Sequence, residues 1–265
     1  MCSQIQQRRL LLKREAGLLC LIGWKLAVSG AETRLVIQML ERICAHLHLD
    51  PPEIILTRSV IWLEITKGTL KATAQHKIQN FGINMSNVSE LSLLCNEFLS
   101  GKMSGLKELR SKVDAVSSFK YNSTALCFIE AVAGLCFAYL NGGDLNVCLA
   151  ALLGGLVLML VRFCLIKQGF LTAFAFIAAA FLGCTTTMLF SRYAIGSDIN
   201  EMRLSIMATT LLLVPGYPYM NGFLDVFKGY LETGIFRLMH SVVLTMAAAI
   251  GLLGALWFMG VLGNV

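Results

Sequence analysis

Charge is scarce in this chain and unevenly placed. Asp, Glu, Lys and Arg make up only 14% of its 265 residues, and residues 1–120 hold 16 of the 22 bases and 10 of the 16 acids. The first part is therefore basic by six charges and the remainder is neutral. With 56% hydrophobic residues, such a balance excludes an ordinary soluble domain of this length. Paired cysteines are missing too: nine cysteines are odd in number and have no CxxC spacing, which argues against a disulfide or zinc framework. His46 and His48 have no matching Cys pair, so no metal site is expected. Nucleotide loops of the GxxxxGK[ST] type, HExxH and GxSxG are all absent, which excludes ATP-driven work by this chain alone and leaves no catalytic residue and no cofactor to name. The expected role is not enzymatic. The bases are interleaved with acids and form no stripe, so nucleic acid is not an expected partner. Only four prolines occur, and two of them, Pro215 and Pro218, interrupt an apolar run.

What is present divides at about residue 120. In residues 1–120, a basic amphipathic helix is expected up to Val28. No cleavable signal is expected there, because Leu18 to Trp24 is short and is crowded by Arg8, Arg9, Lys13 and Arg14. Leu35, Val36, Met39, Leu40, Ile43 and Leu47 recur at helical spacing in a second helix that Pro51-Pro52 terminates. Glu53 to Arg58, Ser59 to Thr66 and Thr69 to Gln75 are rich in Ile, Val and Thr, and Lys67-Gly68 suits a tight turn, so a small antiparallel sheet is expected. Two further helices, Asn84 to Ser100 and Ser104 to Val116, complete an α+β domain large enough for its own core.

Residues 121–265 predict a membrane domain of about five transmembrane helices, near 124–140, 145–161, 170–190, 204–219 and 240–262. The fold class is thus an α-helical polytopic membrane protein with an N-terminal cytoplasmic α+β domain. Loops on the side of that domain carry Arg162, Lys167, Lys228 and Arg237, against Arg192 and Arg203 on the other, which orients the N-terminal domain to the cytoplasm and the C-terminus to the periplasm. Ala247, Gly251 and Ala255 recur every fourth residue, as do Ala179 and Gly183, which suits close helix packing in the bilayer.

The candidate functional residues are the polar and helix-breaking ones in this apolar half. Glu130 lies inside the first span, where a carboxylate needs a partner or water. Pro215 and Pro218 must bend or unwind the fourth span near its cytoplasmic end. Just beyond, Asn221 offers both a donor and an acceptor, and Asp225 and Lys228, at i and i+3, share a helix face and can pair. These residues suit a cytoplasmic gate or a site for a small organic solute. Thr185, Thr186, Thr187, Thr209 and Thr210 add hydroxyls that can equally bond to their own helix backbone. A secondary transporter accounts for these features; a membrane-anchored scaffold or sensor, working through its cytoplasmic domain, is the alternative.

GAETRLVIQMLERICAHL near the start, FGINMSNVSEL in the middle and LLLVPGYPYMNGFLDVFKGYLETGIFR near the end together resemble the threonine/serine exporter family, and among its members the shorter YjjP-type subunits. The resemblance implies an inner-membrane, multi-pass exporter of hydroxy amino acids or of dicarboxylates such as succinate. It also implies a second small membrane subunit, of YjjB type, since longer members of the family carry about twice the number of spans. By the matching pattern it singles out Pro215, Gly216, Asn221, Asp225, Lys228, Gly229 and Gly234.

Overall fold

The computed structural model describes residues 2–79, 82–116 and 122–261. Phe81 of the middle motif and Leu262 of the expected last span lie outside them. The chain forms two compact units. One takes the described residues up to 116 together with Met220–Arg237, so a segment from late in the sequence belongs to the N-terminal unit. The other takes residues 122–219 and 238–261.

In the first unit, α1 (Cys2–Val28), α2 (Thr33–His46), α3 (Met85–Leu99) and α4 (Leu106–Ala115) pack with an antiparallel meander of β1 (Glu53–Leu56), β2 (Val60–Lys67) and β3 (Leu70–Lys77). Residues alternate faces along a strand, so Ile61, Leu63 and Ile65 of β2 all point into the core and are fully buried. Lys67 pairs with Leu70 across a two-residue turn in which Gly68 has φ 62°, a backbone geometry that glycine adopts without strain. Both α1 and α2 close over the β2 face: a Cβ on Gly23 would stand 2.6 Å from Ile61 Cδ1 and 2.9 Å from Leu40 Cδ1. The cap of α3 is Asn84, whose side chain accepts from the Asn87 N–H. Lys25 of α1 donates to the carbonyls of Val113 at 2.5 Å and Val116 at 3.0 Å, closing the C-terminal end of α4.

The second unit is helical: α5 (Ser123–Leu140), α6 (Leu145–Lys167), α7 (Thr172–Leu189), α8 (Ile199–Leu211), the start of α9 (Gly216–Phe227) and most of α10 (Leu231–Val261). Asp144 caps α6 through the Val147 N–H, and Gly142 and Gly143 make the tight turn before it. Among the described residues, four helices are long and apolar enough to cross a bilayer: Ser123–Leu140, Leu145–Lys167, Thr172–Ile195 and Leu231–Gly260. The expected fourth span, 204–219, is not one of these. Its residues divide between α8 and the first turn of α9. With 13 residues, α8 covers about 20 Å. Leu212 to Pro215 separate the two helices, with successive i+3 bonds from Leu213 and Val214 back to Thr210 and Leu211 covering the freed carbonyls.

Small residues set the helix spacing here. Gly154 of α6 faces Thr187 Oγ1 and the Gly183 carbonyl of α7, and Gly251 of α10 faces the Ile177 carbonyl and Ala180 Cβ, so neither position has room for a side chain. Thr185, Thr186, Thr187, Thr209 and Thr210 each donate to the carbonyl four residues earlier. Thr187 and Thr209 also meet across α7 and α8 at 3.0 Å.

Candidate functional site

From Asn221 to Gly234, the C-terminal pattern singled out in the sequence forms a helical corner within the first unit. Pro215 sits just before α9 and its carbonyl takes the Tyr219 N–H, while Pro218 occupies the first turn, where a missing N–H costs no helical bond. At the other end of α9, Gly229 has φ 88°. The Tyr230 N–H bonds back to the Asp225 carbonyl and the Gly229 N–H to that of Val226, the two bonds of a Schellman ending. Then α10 turns back against α9. Gly234 allows this: a Cβ there would meet Val226 N at 2.8 Å and the Gly222 carbonyl at 2.9 Å.

This corner is joined to Gly30–Thr33, the loop between α1 and α2. Asp225 is fully buried and accepts from the Thr33 N–H at 3.2 Å and from its hydroxyl at 2.9 Å, and Arg237 stands 3.0 Å from the same carboxylate. Arg237 also donates to the Ala31 carbonyl at 2.9 Å, and Asn221 donates to that of Gly30 at 3.1 Å. The Thr33 and Thr233 hydroxyls stand 3.2 Å apart, and Lys228 pairs with Glu32. Two of the three sequence motifs, GAETR and the PG…N…D…KG…TG pattern, therefore meet residue by residue. The expected Asp225–Lys228 pair is not formed; each finds an opposite charge elsewhere, Asp225 on α10 and Lys228 on the loop before α2. Burial raises the Asp225 carboxyl above the usual carboxylate range, against the opposing pull of Arg237 and of the two Thr33 bonds. Sequence reasoning missed Thr33, Thr233 and Arg237 as members of this network. Thr33 lies far from Asp225 along the chain, and nothing local marks α10 as folding back on α9. Beside this network, Leu56, Thr57, Arg58, Thr233, Phe236 and Arg237 line a small pocket, with the Arg58 guanidinium 4.4 Å above the Phe236 ring.

Glu130 is placed apart from these residues, in the second unit. Its carboxylate stands 3.7 Å from the guanidinium of Arg162 on α6, and the two side chains are 34% and 26% exposed. Sequence reading puts Arg162 in a loop, since hydropathy falls at a charge. The helix instead runs on to Lys167, with Arg162 inside it.

Long apolar helices packed through glycine and threonine, with an ion pair set among them, define a multi-pass membrane protein. Residues 18–259 match the family described as "Putative threonine/serine exporter", and the chain belongs to that family. Membrane export, a non-enzymatic role, is the activity this family carries. The chain is similar to the "Probable succinate transporter subunit YjjP" of Klebsiella aerogenes, with 27% identity over 234 residues, 88% of this chain and 90% of the relative. It is also 27% identical to the protein of the same name from Escherichia coli strain K12, over 246 residues, 92% of this chain and 94% of that one. No solved structure matches it.

Proposed function

We propose that this chain is one subunit of an inner-membrane secondary exporter of small carboxylate solutes, hydroxy amino acids or dicarboxylates such as succinate. The observation that carries this reading is the extent of the family match, which runs through both units, together with two relatives named as transporter subunits along nearly their whole length. A second small membrane subunit, of YjjB type, supplies the other half of the pathway. In this reading α8 completes a fifth crossing, short because Pro215 ends it, with the N-terminal unit in the cytoplasm and the C-terminus in the periplasm.

The pattern residues divide between two tasks. Asn221, Asp225, Lys228, Gly229 and Gly234 hold the α9–α10 corner on the Gly30–Thr33 loop and act as the latch of a cytoplasmic gate. Pro215, Gly216 and Pro218 supply the hinge beside it. Glu130, inside a span, stands on the solute path. Support for the latch is that its polar side chains are consumed by one another across the corner and the loop, so that parting the two would break these bonds together. Deleting the gene, alone and together with that of the partner subunit, is expected to raise intracellular threonine, serine or succinate under overproduction. Unchanged solute pools and export rates in both strains count against the reading.

A further inference from the structure

We propose that Arg162 binds the carboxylate of the exported solute, with Glu130 as the counter-ion that holds its guanidinium when the site is empty. This rests on the exporter reading above and names the chemical group that the site recognises.

The guanidinium is placed but little used. Counted along the helices, Glu130 lies about 10 Å from the start of α5 and Arg162 about 8 Å from the end of α6. The antiparallel hairpin thus brings both to similar depth, away from the 141–144 turn. Arg162 rests 4.9 Å over the Phe176 ring of α7 and 5.8 Å over that of Phe163, contacts that a guanidinium makes favourably with an aromatic face. Among the described residues its side-chain donor bond goes to the Met159 sulfur at 3.7 Å, and a thioether is a weak acceptor. The Glu130 contact is also 3.7 Å, longer than a hydrogen bond. Accordingly Arg162 Nε and Glu130 Oε2 are buried atoms without a hydrogen-bond partner among the described residues.

A structural ion pair inside a span is expected to close to short bonds, since the alternative in hydrocarbon is costly. This pair does not close. An aromatic face fixes the guanidinium plane, leaving N–H groups that match the two oxygens of a carboxylate. Glu130, at the edge of that fork, neutralises the charge in the empty state without occupying the donors. A solute carboxylate displaces it, and no covalent step is involved. Hydroxy amino acids and dicarboxylates both carry the group, which explains how one site serves either class.

The test uses inverted membrane vesicles from the native host, where the chain sits with its partner, comparing a deletion strain complemented by wild type or by variants at matched abundance. Uptake of labelled threonine and succinate gives KM and maximal rate. Arg162→Gln is expected to raise KM roughly tenfold or more, the loss of a charge-assisted two-point contact. Arg162→Lys keeps the charge but not the fork, so KM rises while the maximal rate stays near wild type. Glu130→Gln removes the competitor and lowers KM. Threoninol, which lacks the carboxylate, is not expected to compete with threonine. An unchanged KM in Arg162→Lys, or competition by threoninol equal to that by threonine, overturns the proposal alone. If the wild type transports neither labelled solute beyond the deletion strain, the exporter reading falls and the proposal with it.

Discussion

Replacing Asp225 with alanine is expected to cost the first unit about 3–5 kcal/mol, the loss that follows when one member of a buried ion pair is removed. Arg237, 12% exposed, would lose the Asp225 carboxylate, and Thr33 would lose that acceptor for both its N–H and its hydroxyl. The loop Gly30–Thr33 would keep Asn221 on the Gly30 carbonyl, Arg237 on the Ala31 carbonyl, the Thr33–Thr233 hydroxyl contact and the Lys228–Glu32 pair. Hydrogen exchange reads this locally, because the Thr33 amide is itself bonded to the Asp225 carboxylate. Its protection should fall in Asp225→Ala while amides of β2 keep theirs. Removing both charges, with Asp225→Leu and Arg237→Met, should be less damaging than the single change, since the guanidinium that faced the Asp225 carboxylate goes with it. Equal loss in the single and double variants would show that the pair's charge is not what holds the loop.

The same carboxylate has a defined pH signature. Burial raises its folded-state pKa above the value of the unfolded chain, despite Arg237. The folded state therefore holds this proton to higher pH than the unfolded state does. The part of the stability linked to this proton is fully present below the unfolded value near 3.8 and is lost as pH rises through the raised folded value, while the contacts to Arg237 and Thr33 persist. Asp225→Asn titrates at neither, so the stability gap between wild type and this variant should narrow with rising pH. A gap that widens contradicts the balance in which burial outweighs the Arg237 attraction.

Legibility in the sequence follows the range of the interaction. Ile61, Leu63 and Ile65 alternate, and Lys67-Gly68 punctuates them, so the strands and their turn are readable from neighbours alone. Pro215 likewise marks the end of an apolar helix, although hydropathy predicts a fourth span of ordinary length where α8 stops at Leu211. Arg162 is misplaced because hydropathy treats a charge as an end, whereas a helix backbone continues through an arginine whose head reaches a carboxylate and two aromatic rings on its own and neighbouring helices. Least legible is the membership of Met220–Arg237 in the first unit. Asp225 and Lys228 look like a local i, i+3 pair, and only the three-dimensional arrangement shows that Arg237 and Glu32 take them instead.

The glycines of the C-terminal pattern should separate by the atoms they face, and Gly234 is expected to be the least replaceable. A Cβ at Gly234 would stand 2.7 Å from Val226 Cγ2, 2.8 Å from Val226 N and 2.9 Å from the Gly222 carbonyl. Two of these are backbone atoms of α9, so no rotamer change relieves the contact and the α9–α10 corner must open. Gly234→Ala should therefore cost about 3 kcal/mol, the upper part of the range for overpacking, and Gly234→Val more. Gly229 differs, with open space around it but φ 88°. Gly229→Ala should cost about 1 kcal/mol through backbone strain at the helix end. Nothing lies within 4 Å of a Cβ at Gly216, which has an ordinary φ at the start of α9. Gly216→Ala should be neutral or stabilise by about 0.5 kcal/mol, because alanine leaves the unfolded chain fewer states. Exchange protection of the Thr33 amide orders the three, since opening the corner moves Asp225 away from it. A Gly234→Ala variant with full protection would mean that α10 leaves α9 without disturbing the latch, and that the close approach at Gly234 is not what aligns Asp225 with Thr33.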